Sequence, residues 1–344
     1  MRISICIPQY NRIDFLRKNL ELIAEQEYEN VEVIISDDCS VDDTEKTILT
    51  LQKTYRYPLV YKKNEKNLGY DRNLRQSLEL ASGDYCLVLG NDDSLHDPGS
   101  LQFLVTFLEA NDLPDIGFCN YVEDADRTKV YERALNTTVL GTGYDVAMKQ
   151  YNNFSFVAGL IYKRNVFLKF NTDKFDGSIY AQIYLGCLMI ASGASVFSIK
   201  EILVIKDIEA GVAHRNSYRD TIAKKWKDYK VVDGGLPSVI NVLIAAFTDA
   251  GVLSQSIIYR IFHRIYATTF PHWLLDYRNN GAFPEAIGLA AGLYPPRNKQ
   301  YQLLSGINKI KIYLRYCFSC SIGMLTPVFI FNKTKRAVYK YLRR

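Results

Sequence analysis

Histidine and tryptophan are scarce, with four and two in 344 residues. No histidine sits in an H-E-x-x-H pattern, which argues against a zinc hydrolase. Neither a G-x-G-x-x-G nor a P-loop pattern occurs, which disfavours dinucleotide-binding oxidoreductases and ATPases. No apolar run reaches the ~20 residues of a spanning helix. The run Tyr316–Phe331 is sixteen residues without a charge, and Gly323 and Pro327 interrupt it. The seven cysteines are scattered, mostly inside apolar runs. They read as free thiols in a reducing compartment, and the lone Cys317-x-x-Cys320 is too little for a zinc or redox site. The start, MRISICIP, is too short for a signal-peptide core, so the expected location is cytoplasmic.

Acid is missing in a more telling way. From Ala286 onward there is no Asp or Glu, so this stretch carries +11 while residues 1–285 carry −6. The basicity therefore belongs to one segment suited to an anionic surface, not to a general nucleic-acid footprint. What remains is ordinary globular material, 48% apolar and 23% charged, with 25 Tyr and 17 Phe able to fill a core or to meet flat rings and sugar faces.

The first third alternates strand and helix patterns. RISICI, VEVIIS, Leu59–Tyr61 and YCLVL read as buried strands. Between them, stripes through Ile13, Leu16, Leu20 and Ile23, through Ile48 and Leu51, and through Leu74, Leu78 and Ala81 predict amphipathic helices. Ser40 with Asp43 has the form of a helix-opening box. Such alternation predicts an α/β fold with a mostly parallel sheet covered on both faces. Further strands are expected at Ile116–Val122, Phe156–Tyr162 and Val196–Ile199, and a helix over Ile179–Ala191. A helical, basic C-terminal region follows, and Gly234-Gly235-Leu236-Pro237 predicts domains at 1–235 and 236–344.

Ligands of such sheets sit beyond the carboxyl ends of the strands. Four loops fall there: Pro8–Arg12, Asp37–Ser40, Asn64–Asn73 and Gly90–Asp93. Asp92 and Asp93 offer oxygen ligands for a hard cation such as Mg²⁺ or Mn²⁺, or simply a solvated turn. Asp38 could accept from the N–H groups of a nucleobase or cap a helix, with Tyr10 placed to flank a flat ring. Gly69 permits a positive φ or a close backbone approach, and Arg72, near a helix N-terminus, could reach a phosphate.

The runs SICIPQYNR, VEVIISDDCSVDDT and NEKNLGYDRNLRQSLELASGDYCLVLGNDDSL resemble glycosyltransferase family 2, the inverting nucleotide-sugar transferases of the GT-A fold. The resemblance is dense over residues 1–110 and implies the following roles. Pro8 and Tyr10 line the nucleotide pocket, Asp38 reads the base, and Arg72 and Asn73 approach the nucleotide. Asp93 is the direct metal ligand and Asp92 contacts ribose or sugar, with Asn91 standing where many members carry another Asp. A divalent metal, a nucleoside-diphosphate-sugar donor and a glycan or polyprenyl-linked acceptor are implied. The family's general base would align with Gln182, which cannot take a proton. The expectation therefore falls on Asp176, with helix capping as its alternative role.

His214-Arg215 could form a phosphate-facing loop or a plain surface loop. The run Tyr316–Phe331 and the cations after it are expected to lie peripherally in an anionic membrane interface, the alternative being a buried helix with a solvated tail. Two other functions share parts of this pattern. A sugar-phosphate nucleotidyltransferase would want a Gly-rich basic loop where Pro8-Gln9-Tyr10 stands. A non-catalytic nucleotide-sugar-binding subunit would tolerate Gln182.

Overall fold

The computed structural model describes residues 1–212, 236–279 and 281–334. The chain divides into two compact units, residues 1–220 and 221–344. His214, Arg215, Trp226, Gly234, Gly235 and the last five cations of the tail lie outside the described residues.

The first unit is a ten-stranded sheet with helices. Its opening runs β1 (Ile3–Gln9), α1 (Ile13–Ala24), β2 (Val31–Asp37), α2 (Thr44–Leu51), β3 (Leu59–Lys63), α3 (Tyr70–Glu79) and β4 (Tyr85–Val88). β5 (Ser94–Leu95), α4 (Ser100–Ala110), β6 (Ile116–Glu123), β7 (Asp126–Tyr131), β8 (Thr138–Gly141) and α5 (Tyr144–Gln150) follow. The unit continues through β9 (Leu160–Lys163), α6 (Arg164–Phe170), α7 (Ala181–Ala191) and β10 (Val196–Lys206). The order along the sheet is β3-β2-β1-β4-β9-β6-β10-β5, with β7 on β6 and β8 on β10.

Parallel pairing dominates one half of the sheet and recurs in the other, among the described residues, only between β6 and β10. β3, β2, β1 and β4 are parallel neighbours, whereas β9 joins β4 and β6 antiparallel to both. The second half is therefore mixed, because a short reversed strand can close a sheet without the crossover that parallel pairing needs. β1 and β2 are buried along their whole length. Ile3, Ile5 and Ile7 pack with Leu16, Leu20 and Ile23 of α1 in one apolar cluster.

Several local expectations are revised. The Ser40–Asp43 box does not form: α2 begins at Thr44, whose N–H donates to Asp42 instead, and Asp43 makes no side-chain cap. The expected strand Phe156–Tyr162 starts only at Leu160. The expected helix at Ile179 starts at Ala181, since Ile179 itself has φ 62°. A β-branched residue in the left-handed region is strained and persists only where neighbours impose it.

The second unit is helical: α8 (Leu236–Asp249), α9 (Gln255–Arg264), a π turn at Ile265–Thr269, α10 (Phe270–Asn279), α11 (Phe283–Gly292) and α12 (Gly306–Leu325). A last helix, α13 (Val328–Thr334), is bent 101° from α12 at the break containing Pro327. Among the described residues no single helix is long and apolar enough to cross a membrane, although this bent pair passes by composition and length. Within the uncharged run, Tyr316, Ser319 and Gly323 turn inward. The Tyr316 hydroxyl donates to Ala290 O at 2.8 Å, Ser319 Oγ donates to Tyr266 O at 2.6 Å, and Gly323 lies against Leu274.

Candidate active site

Register sets the starting point. Gln9 pairs with Asp37, Asp37 with Lys63, and Cys6 with Val88, so β3, β2, β1 and β4 end side by side. The four loops leaving them are then stitched together by amides. Asp38 N donates to Gln9 O at 2.9 Å, and Asn73 Nδ2 donates to the same carbonyl at 3.0 Å. Asn73 Oδ1 accepts from Ser36 Oγ at 2.7 Å. Asn91 Nδ2 donates to Gln9 Oε1 at 2.9 Å. One fully buried glutamine thus links the loops after β1, β2, β3 and β4. Buried amides bonded on every side hold a geometry rather than bind a ligand, because leaving one unpaired is expensive.

Within this frame the individual residues take definite partners. Pro8 is buried in β1, and Tyr10 is half-buried just past the strand end. Asp38 is fully buried and accepts from Leu68 N at 2.7 Å, Gly69 N at 3.0 Å and Asn64 Nδ2 at 3.2 Å. Burial raises its affinity for a proton, and these donors oppose the rise without cancelling it. Asp38 is thereby the clasp of the β3–α3 loop. Gly69 in that loop has φ 87° with open space where a Cβ would stand, so the backbone conformation, not a close approach, requires glycine there.

Arg72 does not point to the rim. Its guanidinium bonds both carboxylate oxygens of Glu79, at 2.8 Å each, further along α3. Asp92 is half-buried and held by Arg12 Nη2 at 2.9 Å. Arg12 can reach because Asn11 and Arg12 both adopt positive φ, 53° and 64°.

Asp93 is buried as well. Its carboxylate accepts from Asp207 N at 3.2 Å, and Ile208 N donates to Asp92 O at 2.8 Å, so the chain leaving β10 is fastened to the acidic turn. Burial, then the charge of Asp92, drives the proton affinity of Asp93 well up, and the Asp207 N–H opposes the rise without cancelling it. The turn also needs Gly90, where a Cβ would come within 2.4 Å of Asp93 Oδ2. Nearby, Arg133 is buried and bonded to carbonyls. It donates to those of Cys119, Asn153, Phe156 and Ala158 and lies over the rings of Tyr121 and Phe156. Asp207 and Arg133 were not anticipated. A polar break after a strand marks Asp207 in the sequence, while nothing local marks Arg133.

Asp176 stands elsewhere. Its carboxylate takes a two-pronged contact from Arg75, Nε at 2.8 Å and Nη2 at 2.5 Å. An open cleft of about 530 Å³ there is lined by Arg72, Arg75, Glu79, Asn171, Asp173 and Asp176, among others. The same segment is pinned by Asp71, which accepts from Ile179 N at 2.7 Å and Ala181 N at 3.3 Å. That carboxyl, not Asp176, is the acid at the start of α7, and burial pushes it up to about 6. Gln182 is buried, and its Oε1 has no hydrogen-bond partner among the described residues.

Comparison with known proteins finds similarity in sequence and in fold. The model of the family described as glycosyl transferase family 2 matches residues 4–170. An abequosyltransferase, RfbV, of Salmonella typhimurium is 43% identical over 125 residues, covering 36% of this chain and 37% of that protein. The GalNAc(5)-diNAcBac-PP-undecaprenol beta-1,3-glucosyltransferase of Campylobacter jejuni is 32% identical over 94 residues, 27% of this chain and 30% of its own length. The chain thus spans about a third of the length of these curated relatives. In structure, residues 1–349 of TarS from S. aureus superpose with a TM-score of 0.60 over 95% of this chain and 92% of that one, at 14% identity. The same protein in complex with UDP-GlcNAc gives 0.57 over 93% and 91%, also at 14% identity. At such identity the likeness establishes the fold, which is GT-A.

Proposed function

Residues 4–170 belong to glycosyl transferase family 2, and from that premise we propose that the protein transfers a sugar from a nucleoside-diphosphate donor to a hydroxyl of a glycan acceptor, with inversion at the anomeric carbon. The observation that carries this is the buried Asp93 beside Asp92, at the edge where the Gln9-centred network gathers four loops. A rim of that kind suits a diphosphate and a base at once. Polysaccharide synthesis is the context, since the matched relatives are named as sugar transferases, one acting on an undecaprenol-linked glycan.

A divalent cation fits the donor set in chemistry. Asp93 has a raised proton affinity because it is buried against other carboxylates, which is the situation a bound Mg²⁺ or Mn²⁺ relieves. Among the described residues no three acids, cysteines or histidines converge as a cage. Asp93, with Asp92 beside it, would hold the ion, and the donor's diphosphate oxygens would complete its shell. Such an ion supplies Lewis-acid neutralisation of the departing diphosphate. The protein's own residues do the rest. Tyr10 flanks the base, Asp38 fixes the loop that borders it, and Arg12 holds the Asp92 side chain in place. Asp176 stands away from this rim and is paired with Arg75, so it takes the acceptor's proton only if its carboxylate leaves that arginine.

Titration calorimetry of the full chain with nucleotide-sugars and Mn²⁺, followed by product analysis, tests the proposal. Asp93→Asn should abolish metal-dependent donor binding and lower turnover by about 100-fold or more while leaving the fold intact. Unchanged turnover in that variant refutes the assignment. A second reading is favoured by the Arg75–Asp176 pair and Gln182: a subunit that binds a nucleotide-sugar without transferring it. Donor binding with neither hydrolysis nor transfer identifies that case.

A further inference from the structure

Among the described residues of the second unit, one apolar face has no packing partner. α12 packs through Ile312, Tyr316, Ser319 and Gly323, which recur at four, three and four residues and so share one side of the helix. On the opposite side Ile307, Ile310, Leu314, Phe318 and Leu325 line up at helical spacing, and each is between 57% and 76% exposed. Beyond the bend, Phe329 of α13 is also 65% exposed. A soluble helix normally turns such a stripe inward and its polar side out. Here the inward face already exists, and the stripe is additional to it.

Charge indicates the occupant. Lys311 borders the stripe on α12 and Lys333 is exposed on α13, while Lys309 and Arg315 turn to Gln302 and His263; the sequence has no acid from residue 286 to its end against eleven cations. A second copy of the chain would bring like charges together across the stripe. An anionic bilayer surface offers both a phase for the apolar residues and counter-charge for the flanks. We propose that the α12–α13 elbow lies in the plane of a bilayer interface. In this arrangement Ile307, Ile310, Leu314, Phe318 and Phe329 enter the acyl boundary, and Lys311 and Lys333 face anionic headgroups. The face shares Phe318, Leu325 and Phe329 with the uncharged run read in the sequence, whose Tyr316, Ser319 and Gly323 are instead spent on internal packing. It does not depend on the transfer reaction.

The test is flotation of the full chain with vesicles of phosphatidylcholine alone and of phosphatidylcholine with phosphatidylglycerol, each at low and high salt. The bound fraction should be at least about tenfold higher on the anionic vesicles and fall in high salt. Ile310→Ser/Leu314→Ser/Phe318→Ser should cut binding by about tenfold or more, with the melting temperature and donor binding unchanged because these side chains are mostly exposed. Lys311→Gln/Lys333→Gln should reduce the preference for the anionic vesicles. Equal recovery of intact and substituted chain on all vesicles overturns the proposal. So does a dimer by light scattering that the triple serine variant dissolves, since the face would then be an interface between copies.

Discussion

Replacing Asp71 by asparagine gives the sharpest quantitative test of how the region before α7 is held. Asp71 is buried, accepts the Ile179 and Ala181 N–H groups, and titrates near 6 where an unperturbed aspartate has 3.8. Because the folded value lies above the unfolded one, the native state retains its proton while the unfolded chain has already released it. The contribution of this group to stability is therefore greatest at low pH and falls as pH rises from about 4 through 6. The full loss is about 3 kcal/mol at 1.36 kcal/mol per pH unit. Between pH 4.5 and 7.5 the portion that remains to be lost is about 2 kcal/mol. The substituted amide would be neutral throughout and resembles the protonated acid in shape. The stability difference between Asp71→Asn and wild type should then move by about 2 kcal/mol in the variant's favour over that interval, seen as about 4–8 °C in the relative melting temperature of the first unit. Paired thermal melts across this range, with donor binding as a check on the fold, measure it. Parallel curves for the two proteins would refute both the burial of an ionised Asp71 and its place as the acid that caps α7.

Other substitutions separate bracing from chemistry. Gly90→Ala puts a methyl 2.4 Å from Asp93 Oδ2, so the carboxylate must shift, and metal-dependent donor binding should weaken by about tenfold with little change in melting. Asp38→Ala strands the Leu68 N–H and Asn64 Nδ2, while Gly69 N–H keeps Asn67 Oδ1, and should cost about 3 kcal/mol in urea unfolding, with donor affinity lost alongside; unchanged unfolding would remove its role as a clasp. Asp176→Asn distinguishes base from brace. A base loses about 100-fold or more in kcat with donor binding kept, whereas a brace loses stability and leaves the pH profile of kcat where it was.

The positions of the loops were legible because they depend on periodicity. Alternating β-branched runs and three-four stripes specify β1 to β4 and their helices, and parallel crossovers force the following loops to one edge. The acidic pair was legible for the same reason, lying just after an apolar strand. Partners were not. Asp92 meets Arg12 and Asp176 meets Arg75 across 80 and 101 residues, and each pairing depends on a backbone turn or a helix docking that leaves no local pattern. Asn73 and Asp38 look like ligands in a string of polar residues, yet burial makes them structural.

By itself the sequence determined the order of elements, the edge where a site could form, the acids there and the separation of a basic tail from an acidic body. These follow from residue-by-residue chemistry acting over a few positions. Only the tertiary structure decided which carboxylates are neutralised by arginine and which, Asp38, Asp71 and Asp93, are left buried with a raised proton affinity. It also decided which face of α12 is used for packing and which is left bare. Both outcomes are set by desolvation and by contacts between segments far apart in the chain, quantities that exist only once the chain has closed on itself.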